Sequence, residues 1–348
     1  MHRARSIVGV GLSLVSGTAA SLAQGQPGPV VCWGSNFVNQ SFPVPAGEFI
    51  KVAAGEDRSL AIRADGTIVE WGFLVGQPPA GTYIDADAGT QWAAAIRSDG
   101  TLVAWGGPPL PLMVPSGQFR QVSAGHRFGV AIRTDGTLAA WGENAGGQLT
   151  VPPGVFTQVA AGAGHAIALR DDGVAIAWGG SNQYGQINVP PGLYRAVAAG
   201  ESFSLAVRTD GTLVAWGAST AGQLNVPSGN TYVAVSACER GQFGLALRTD
   251  GAIVGWGWNG AGQTNPPPGR YTAIAAGNHH GIALVAPCYA NCDASTASPT
   301  LTVNDFICFL NKYAAGDAYA NCDGSTAAPT LNVNDFLCYI NVFAAGCT

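Results

Sequence analysis

Charge is the first thing this sequence lacks. Asp, Glu, Lys and Arg together make up 11% of its 348 residues, against roughly a quarter in ordinary globular chains. The formal net charge is −5 and no concentrated basic stretch is present, which argues against a nucleic-acid partner, because phosphate binding needs a dense basic surface. Long apolar runs are also missing. Beyond the first 23 residues no segment is apolar for the ~20 residues that a membrane span requires. Chemistry-bearing spacings are equally scarce: there is no His-x-x-x-His and no Glu-paired metal spacing. The carboxylates Glu48, Glu56, Asp57, Glu70, Asp85, Asp87, Glu143, Glu201 and Glu239 are scattered, without the pairing that glycoside hydrolysis uses. No catalytic residue is assigned.

What is abundant is glycine, 49 residues, about twice the usual share, and it recurs in register. The stretch AAGEDRSLAIRADGTIVEWG from Ala53 to Gly72 has close copies along the chain. Trp-Gly pairs fall at Trp33, Trp71, Trp105, Trp141, Trp178, Trp216 and Trp256, a period of 34 to 40 residues that marks a repeat architecture. Each copy opens with a small residue and glycine, runs through an apolar segment to Arg, turns at Asp-Gly and ends in an alternating segment with Trp-Gly. Asp-Gly between apolar runs predicts a two-residue hairpin with both turn residues at positive φ, at Asp65–Gly66, Asp99–Gly100, Asp135–Gly136, Asp172–Gly173, Asp210–Gly211 and Asp250–Gly251. The arginines before them, Arg63, Arg97, Arg133, Arg170, Arg208 and Arg248, are expected to brace these turns.

The ends of the array complete one another. The last opening, AAGNHHGIALVA at Ala275–Ala286, has no Trp-Gly strand after it, and the first Trp-Gly, in VVCWG at Val30–Gly34, has no opening before it. A seventh blade shared by both ends would close a ring and leave no exposed edge strand.

These spaced motifs, followed by Gly147-Gln148, Gly185-Gln186, Gly222-Gln223, Gly262-Gln263 and a degenerate Gly76-Gln77, resemble the regulator-of-chromosome-condensation repeat over about residues 28–286. The resemblance implies a mainly β fold, a seven-bladed β-propeller over 24–286. In that family the position of His165 and His280, where other copies carry Arg58, Trp92, Phe128, Phe203 and Phe243, often holds a structural histidine, and with no paired acid or Cys nearby these two are expected to be scaffold. Glu56, Glu201 and Glu239 share the position after the opening glycine or its substitute, Cys238. They either gather at one mouth of the ring to bind a cation or a sugar, or face water as turn residues. Pro-rich connectors such as VPPG at Val151–Gly154 belong outside strands. The connector Gly107–Gly117 carries Leu110, Leu112 and Met113, a candidate partner contact if exposed.

Residues 1–23 read as an export signal: His2, Arg3 and Arg5, then apolar Ile7–Val15, then Ser21-Leu22-Ala23, with cleavage expected before Gln24. The expected destination is secreted or cell-surface, where disulfides are permitted. Six of the eight cysteines lie in Cys288–Thr348, which is an internal duplication offset by 30 residues: ANCDASTASPTLTVNDFICFLNKYAAGD matches ANCDGSTAAPTLNVNDFLCYINVFAAGC. Each half has an oxygen-rich loop before a helix with apolar Val303, Phe306, Ile307 and Leu310, or Val333, Phe336, Leu337 and Ile340.

Residues 287–348 thus resemble a dockerin, a duplicated half-EF-hand module that docks onto cohesins. The resemblance implies calcium as cofactor, held by Asn291, Asp293, Ser295, Thr302 and Asp305 in the first loop and Asn321, Asp323, Ser325, Asn332 and Asp335 in the second, although the middle of each loop is longer than in an EF-hand. Alternatively, disulfides replace the metal. The duplication suggests Cys292–Cys308, Cys322–Cys338 and Cys288–Cys347, one of fifteen pairings. Cys32 and Cys238 either bond to one another or stay free.

Three functions compete. The leading one is a non-catalytic binding protein anchored by its C-terminal module to a scaffold through a cohesin-like protein. A carbohydrate-active enzyme carried by that module is the alternative. Nucleotide exchange on a small GTPase, the resembled family's best-known role, fits poorly with an export signal and a pI near 5.4.

Overall fold

The computed structural model describes residues 19–21, 27–73, 76–107, 113–286 and 303–314. The chain divides into two compact units, Met1–Val285 and Ala286–Thr348. Two short strands come first, β1 (Ala19–Ser21) and β2 (Val30–Gly34). Six three-stranded antiparallel sheets follow: β3 (Phe49–Ala54), β4 (Arg58–Arg63) and β5 (Ile68–Gly72); β6 (Tyr83–Ala88), β7 (Trp92–Arg97) and β8 (Leu102–Gly106); β9 (Phe119–Ala124), β10 (Phe128–Arg133) and β11 (Leu138–Gly142). The fourth to sixth are β12 (Phe156–Ala161), β13 (Ala166–Arg170) and β14 (Ala175–Trp178); β15 (Tyr194–Ala199), β16 (Phe203–Arg208) and β17 (Leu213–Gly217); β18 (Tyr232–Ser236), β19 (Phe243–Arg248) and β20 (Ile253–Gly257).

The seventh sheet draws on both ends of the sequence. Its own strands are β21 (Tyr271–Ala276) and β22 (His280–Val285), with β2 antiparallel to β22 and β1 antiparallel to β21. Apart from β1, the segment read as an export signal lies outside the described residues.

The repeat motif explains each sheet. Every first strand begins with a buried aromatic, Phe49, Tyr83, Phe119, Phe156, Tyr194, Tyr232 or Tyr271, and a register shift follows it. Such a bulge bends the strand and increases its twist. Alanines then let neighbouring sheets approach, and the apolar cores lie between consecutive sheets. Ala53, Leu60 and Ile62 of the first sheet pack with Tyr83, Ala93 and Trp105 of the second. The same holds where the numbering wraps: Phe49, Val52 and Trp71 of the first sheet share a core with Ala273, Ile282 and Leu284 of the seventh. Polar ties run across the same joints. Gln121 and Gln158 each donate to a main-chain carbonyl of the next sheet, Val159 and Val197, at 3.1 Å, and Lys51 and Asp85 form a buried ion pair at the same register position.

The Gly-Gln motif has a distinct job at each joint. The glycine takes φ near +80° (Gly147, Gly185, Gly222, Gly262), and the glutamine side chain accepts from the backbone two residues earlier. Its carbonyl then receives the indole N–H of the following unit: Trp178 to Gln148, Trp216 to Gln186, Trp256 to Gln223, and Trp33 to Gln263 at 2.8 Å. A further copy escapes the Gly-Gln pattern. Asn39 has φ +64° and Gln40 Oε1 accepts from Val38 N at 2.9 Å, so Asn39-Gln40 performs the same turn with asparagine, the residue that best tolerates left-handed backbone after glycine.

Two expectations are corrected. At the Asp-Gly hairpins only the glycine has positive φ, +83° to +88°. Arg63 N bonds Thr67 O and Gly66 N bonds Arg63 O, which is a turn ending in a left-handed glycine bulge rather than a two-residue turn. The repeated arginines also divide their work. Arg170 and Arg248 pair with Asp172 and Asp250 of their own turns. Arg63, Arg133 and Arg208 instead donate to connector carbonyls of Ala46, Ser116 and Pro191 while lying over the rings of Phe49, Phe119 and Tyr194.

In the second unit the described element is helix α1 (Val303–Ala314). Among its described side chains Phe309 is buried, beside Tyr313 at 5.9 Å, whereas the apolar Ile307 and Leu310 are exposed. Asp305 and Cys308 fall on this helix. The other calcium candidates (Asn291, Asp293, Ser295, Thr302, Asn321, Asp323, Ser325, Asn332, Asp335) and disulfide candidates (Cys288, Cys292, Cys322, Cys338, Cys347) lie outside the described residues.

Candidate functional site

Strand direction sorts the connections into two ends. The opening turns and the Gly-Gln loops lie at one end of the sheets, and the Asp-Gly hairpins and starts of the first strands lie at the other. The turn-and-loop end displays aromatic rings: Phe37, Phe42, Phe73, Tyr184 and Trp258 are all exposed, and Trp258 meets the His279 ring edge-on at 4.9 Å. Exposed apolar residues at the hairpin end are aliphatic, Ile84, Val155, Val174 and Leu193. Of the three connector residues proposed as a partner contact, Met113 is 92% exposed; Leu110 and Leu112 lie outside the described residues.

The sixth opening turn departs from the others. Two residues separate Gly200 from Phe203, but four, Glu239-Arg240-Gly241-Gln242, separate Cys238 from Phe243. The longer turn reaches across to other sheets. Glu239 is fully buried and accepts from the Thr90 hydroxyl and the Cys238 thiol, each at 3.2 Å. Thr90 also bonds His126 Nδ1 at 2.7 Å, so one chain of hydrogen bonds joins the opening turns of the second, third and sixth sheets. Burial pushes the Glu239 carboxyl up to about 7, and the charge of Asp87 adds to the effect. Arg240 pairs with Glu56 of the first sheet at 3.4 Å, and Gln242 donates to Glu201 of the fifth at 3.3 Å.

The three acids that share one repeat position therefore do three different things. Glu239 is buried, Glu56 is half-buried beside an arginine, and Glu201 is exposed. The expectation of a uniform set of water-facing turn residues fails at Glu239 because the two extra residues redirect its side chain.

Arg58, in the aromatic position of the first sheet, is 1% exposed. Its guanidinium lies 3.6 Å from Glu70, whose other oxygen accepts from Trp105 Nε1 at 3.0 Å. Burial lowers the arginine pKa and raises that of Glu70, and each charge partly offsets the effect on the other. Glu70 thus takes the place that a glutamine carbonyl holds for other indoles.

His165 and His280 are scaffold residues, as expected. Their Nε2 atoms meet Ser204 Oγ at 2.9 Å and Ser59 Oγ at 3.0 Å. Each hydroxyl gives its hydrogen to a glutamine carbonyl, Gln186 or Gln40, so Nε2 carries the proton. Burial lowers both imidazoles to about 4. Cys32 and Cys238 are not bonded to one another. Burial pushes the Cys32 thiol up to about 12 and that of Cys238 well above its usual value, which makes both poor nucleophiles. Among the described residues no group of three His, Cys, Asp or Glu side chains is placed to hold a metal ion, and no helix is long and apolar enough to cross a membrane.

Residues 119–148, 156–186 and 194–223 match the regulator of chromosome condensation (RCC1) repeat, so the chain carries RCC1 repeats through its third, fourth and fifth sheets. No curated protein matches the sequence. Prp20p from Saccharomyces cerevisiae is 16% identical, with 75% of this chain and 92% of that chain covered and a TM-score of 0.63. The ectodomain of the Arabidopsis thaliana receptor kinase ACR4 is 22% identical over 66% of this chain and 86% of its own, with a TM-score of 0.59. Human WBSCR16 is 17% identical over 74% of this chain and 99% of its own, with the same TM-score of 0.59. The likeness is one of fold.

Proposed function

We propose that this chain is an exported, non-catalytic binding protein whose seven-bladed propeller holds a protein partner against its turn-and-loop end. The observation that carries the reading is the set of exposed rings there, Phe37, Phe42, Phe73, Tyr184 and Trp258, since aromatic side chains are the commonest anchors of protein interfaces. A closed ring makes that surface rigid, and the pairing of β2 with β22 and the core shared by the seventh and first sheets support closure. Among fold neighbours, the Prp20p structure was described with its binding to Gsp1p and histones, and another shows Kap60 bound to yeast RCC1 (Prp20). Protein binding by this fold is thus precedented, and a formal net charge of −5 disfavours a nucleic-acid partner here.

The C-terminal residues 287–348 form, in this reading, a dockerin-like anchor for a cohesin-like surface protein, with calcium in its two loops or disulfides in their place. The test is capture of extracellular proteins from the organism by the full chain, with calcium and with a chelator, alongside a Phe37→Ala, Phe73→Ala, Trp258→Ala variant. The variant should lose the propeller's partner and keep a calcium-dependent cohesin-like one. Identical capture by both chains would overturn the aromatic-surface reading, and capture of no cohesin-like protein would overturn the anchor.

A further inference from the structure

The long sixth turn shapes a second feature. Gln242 Nε2 donates to Glu201 Oε2 at 3.3 Å and forms one wall of a cleft of about 100 Å³ between the fifth and sixth sheets. Tyr184, Ser202, Thr220 and Gln223 line the rest. Gln223 belongs to the scaffold, since it caps its own loop and receives the Trp256 indole. Three other residues stand where the repeat departs from itself. Tyr184 takes the place of Gly146, Ala221 and Ala261; Thr220 takes that of Ala145, Gln183 and Gly260 and accepts from Gln223 Nε2 at 3.3 Å; Gln242 precedes its strand's aromatic as Gln91 does, and in the longer turn it reaches Glu201. The ring of Tyr184 has no aromatic counterpart in the other Gly-Gln loops, and it shares one cleft with Thr220 and Gln242.

Size and charge define what fits. Small-molecule sites span roughly 300–1,000 Å³, so a cleft of about 100 Å³ admits a single side chain and not a sugar or a nucleotide. Glu201 is the only charged residue in its lining, and Tyr184, 51% exposed, lines the same cleft. That pair attracts a cation. Among the described residues only Oε2 of Glu201 is engaged by the protein, leaving one oxygen. A single oxygen suits the compact ammonium of lysine, whereas a guanidinium is best served by two. We propose that this cleft is the specificity pocket for one lysine side chain of the partner protein. The inference rests on the turn-and-loop end being the partner surface.

The probe needs no partner. The full chain is titrated with Nα-acetyl-lysine amide, with the neutral Nα-acetyl-norleucine amide and methyl glucoside as controls, while the tyrosine side-chain NMR signals are followed. Lysine amide should shift the Tyr184 signals saturably, in the millimolar range expected of one side chain at about 4 kcal/mol, and at least tenfold more tightly than norleucine amide. Glu201→Gln should weaken lysine binding at least fivefold with the fold intact, because Glu201 is exposed. Absence of any shift, equal binding of norleucine amide, tighter binding of the glucoside or indifference to Glu201→Gln would each overturn the pocket. If lysine amide binds but the aromatic variant above still captures every partner, the pocket stands and the wider surface reading fails; the opposite pattern separates them the other way.

Discussion

At the hairpin end of the sheets the units repeat nearly unchanged. Asp65, Asp99, Asp135 and Asp210 each accept from the backbone N–H and hydroxyl of the threonine two residues on, at 2.6–2.9 Å, and the glycine between them always turns left-handed. At the opposite end the units share the indole–glutamine bond at several joints but differ in the side chains around it. There the contacts run between units: the indole–glutamine bonds, the buried His–Ser pairs, the Arg58–Glu70 ion pair and the bridge from Glu239 to Thr90. Both ends join the sheets: the hairpin end repeats one bond, from the first residue of the next sheet to the carbonyl of the turn glycine, as from Tyr83 N to Gly66 O and from Tyr194 N to Gly173 O, whereas the other end uses contacts that differ from joint to joint, and there individuality is tolerated. Binding surfaces commonly sit on such varied loops held by a rigid frame.

The largest expected effect tests the claim that individuality at the joined end is compensated. Glu70→Ala strands Arg58 as a buried charge and should cost about 3–5 kcal/mol, read from denaturant unfolding. Adding Arg58→Phe, which restores the aromatic of other units, should recover most of that loss. A double variant as unstable as the single one would break the comparison, because the pair would then not act as a unit.

The next effect is a pH dependence with two opposed parts. His165 and His280 sit at about 4 in the folded chain, below the usual 6.5. Their contribution is therefore complete above pH 6.5 and is lost as pH falls toward 4, by about 3 kcal/mol each. Glu239 runs the other way: its folded value near 7 lies above the usual 4.5. Its contribution is complete below pH 4.5 and is lost as pH rises to 7, again by about 3 kcal/mol. Unfolding curves from pH 4 to 8 should thus show a broad maximum within this window. Glu239→Gln should remove the loss on the high-pH side and leave the acid-side loss; an unchanged profile would mean that the carboxylate does not titrate from a buried position.

The smallest effect belongs to the hairpin end. Gly173 has φ +83°, and a Cβ there would make only ordinary van der Waals contact, the nearest atom being Tyr194 O at 3.4 Å. Gly173→Ala should cost only the left-handed penalty of about 1–2 kcal/mol, and Gly173→Asn less. The midpoint of denaturant unfolding measures both. A loss as large as that of Glu70→Ala would show that the hairpin end depends on more than the backbone conformation of its turn.

Much of this architecture is legible in the residues because it depends on spacing and on backbone preference. The period of Trp-Gly and Asp-Gly, the left-handed glycines and the buried histidines all follow from short stretches read in register. Asn39-Gln40 is legible on the same grounds, since asparagine is the usual substitute for a left-handed glycine, although it does not match the Gly-Gln pattern itself. The hairpin type is not fixed by Asp-Gly alone, which supports both a two-residue turn and a turn with a glycine bulge; the count of loop residues decides between them.

Local sequence therefore determined the strands, the turns and the sevenfold repetition, each set by residues within one unit. Only the tertiary structure decided which acid is buried, which arginine grips a connector and which glutamine receives which indole. Those outcomes rest on contacts between residues from seventeen to more than two hundred positions apart, such as Arg63 with Ala46, Thr90 with Glu239 and Trp33 with Gln263, and a side chain's partner at that separation is set by packing, not by its neighbours in the chain.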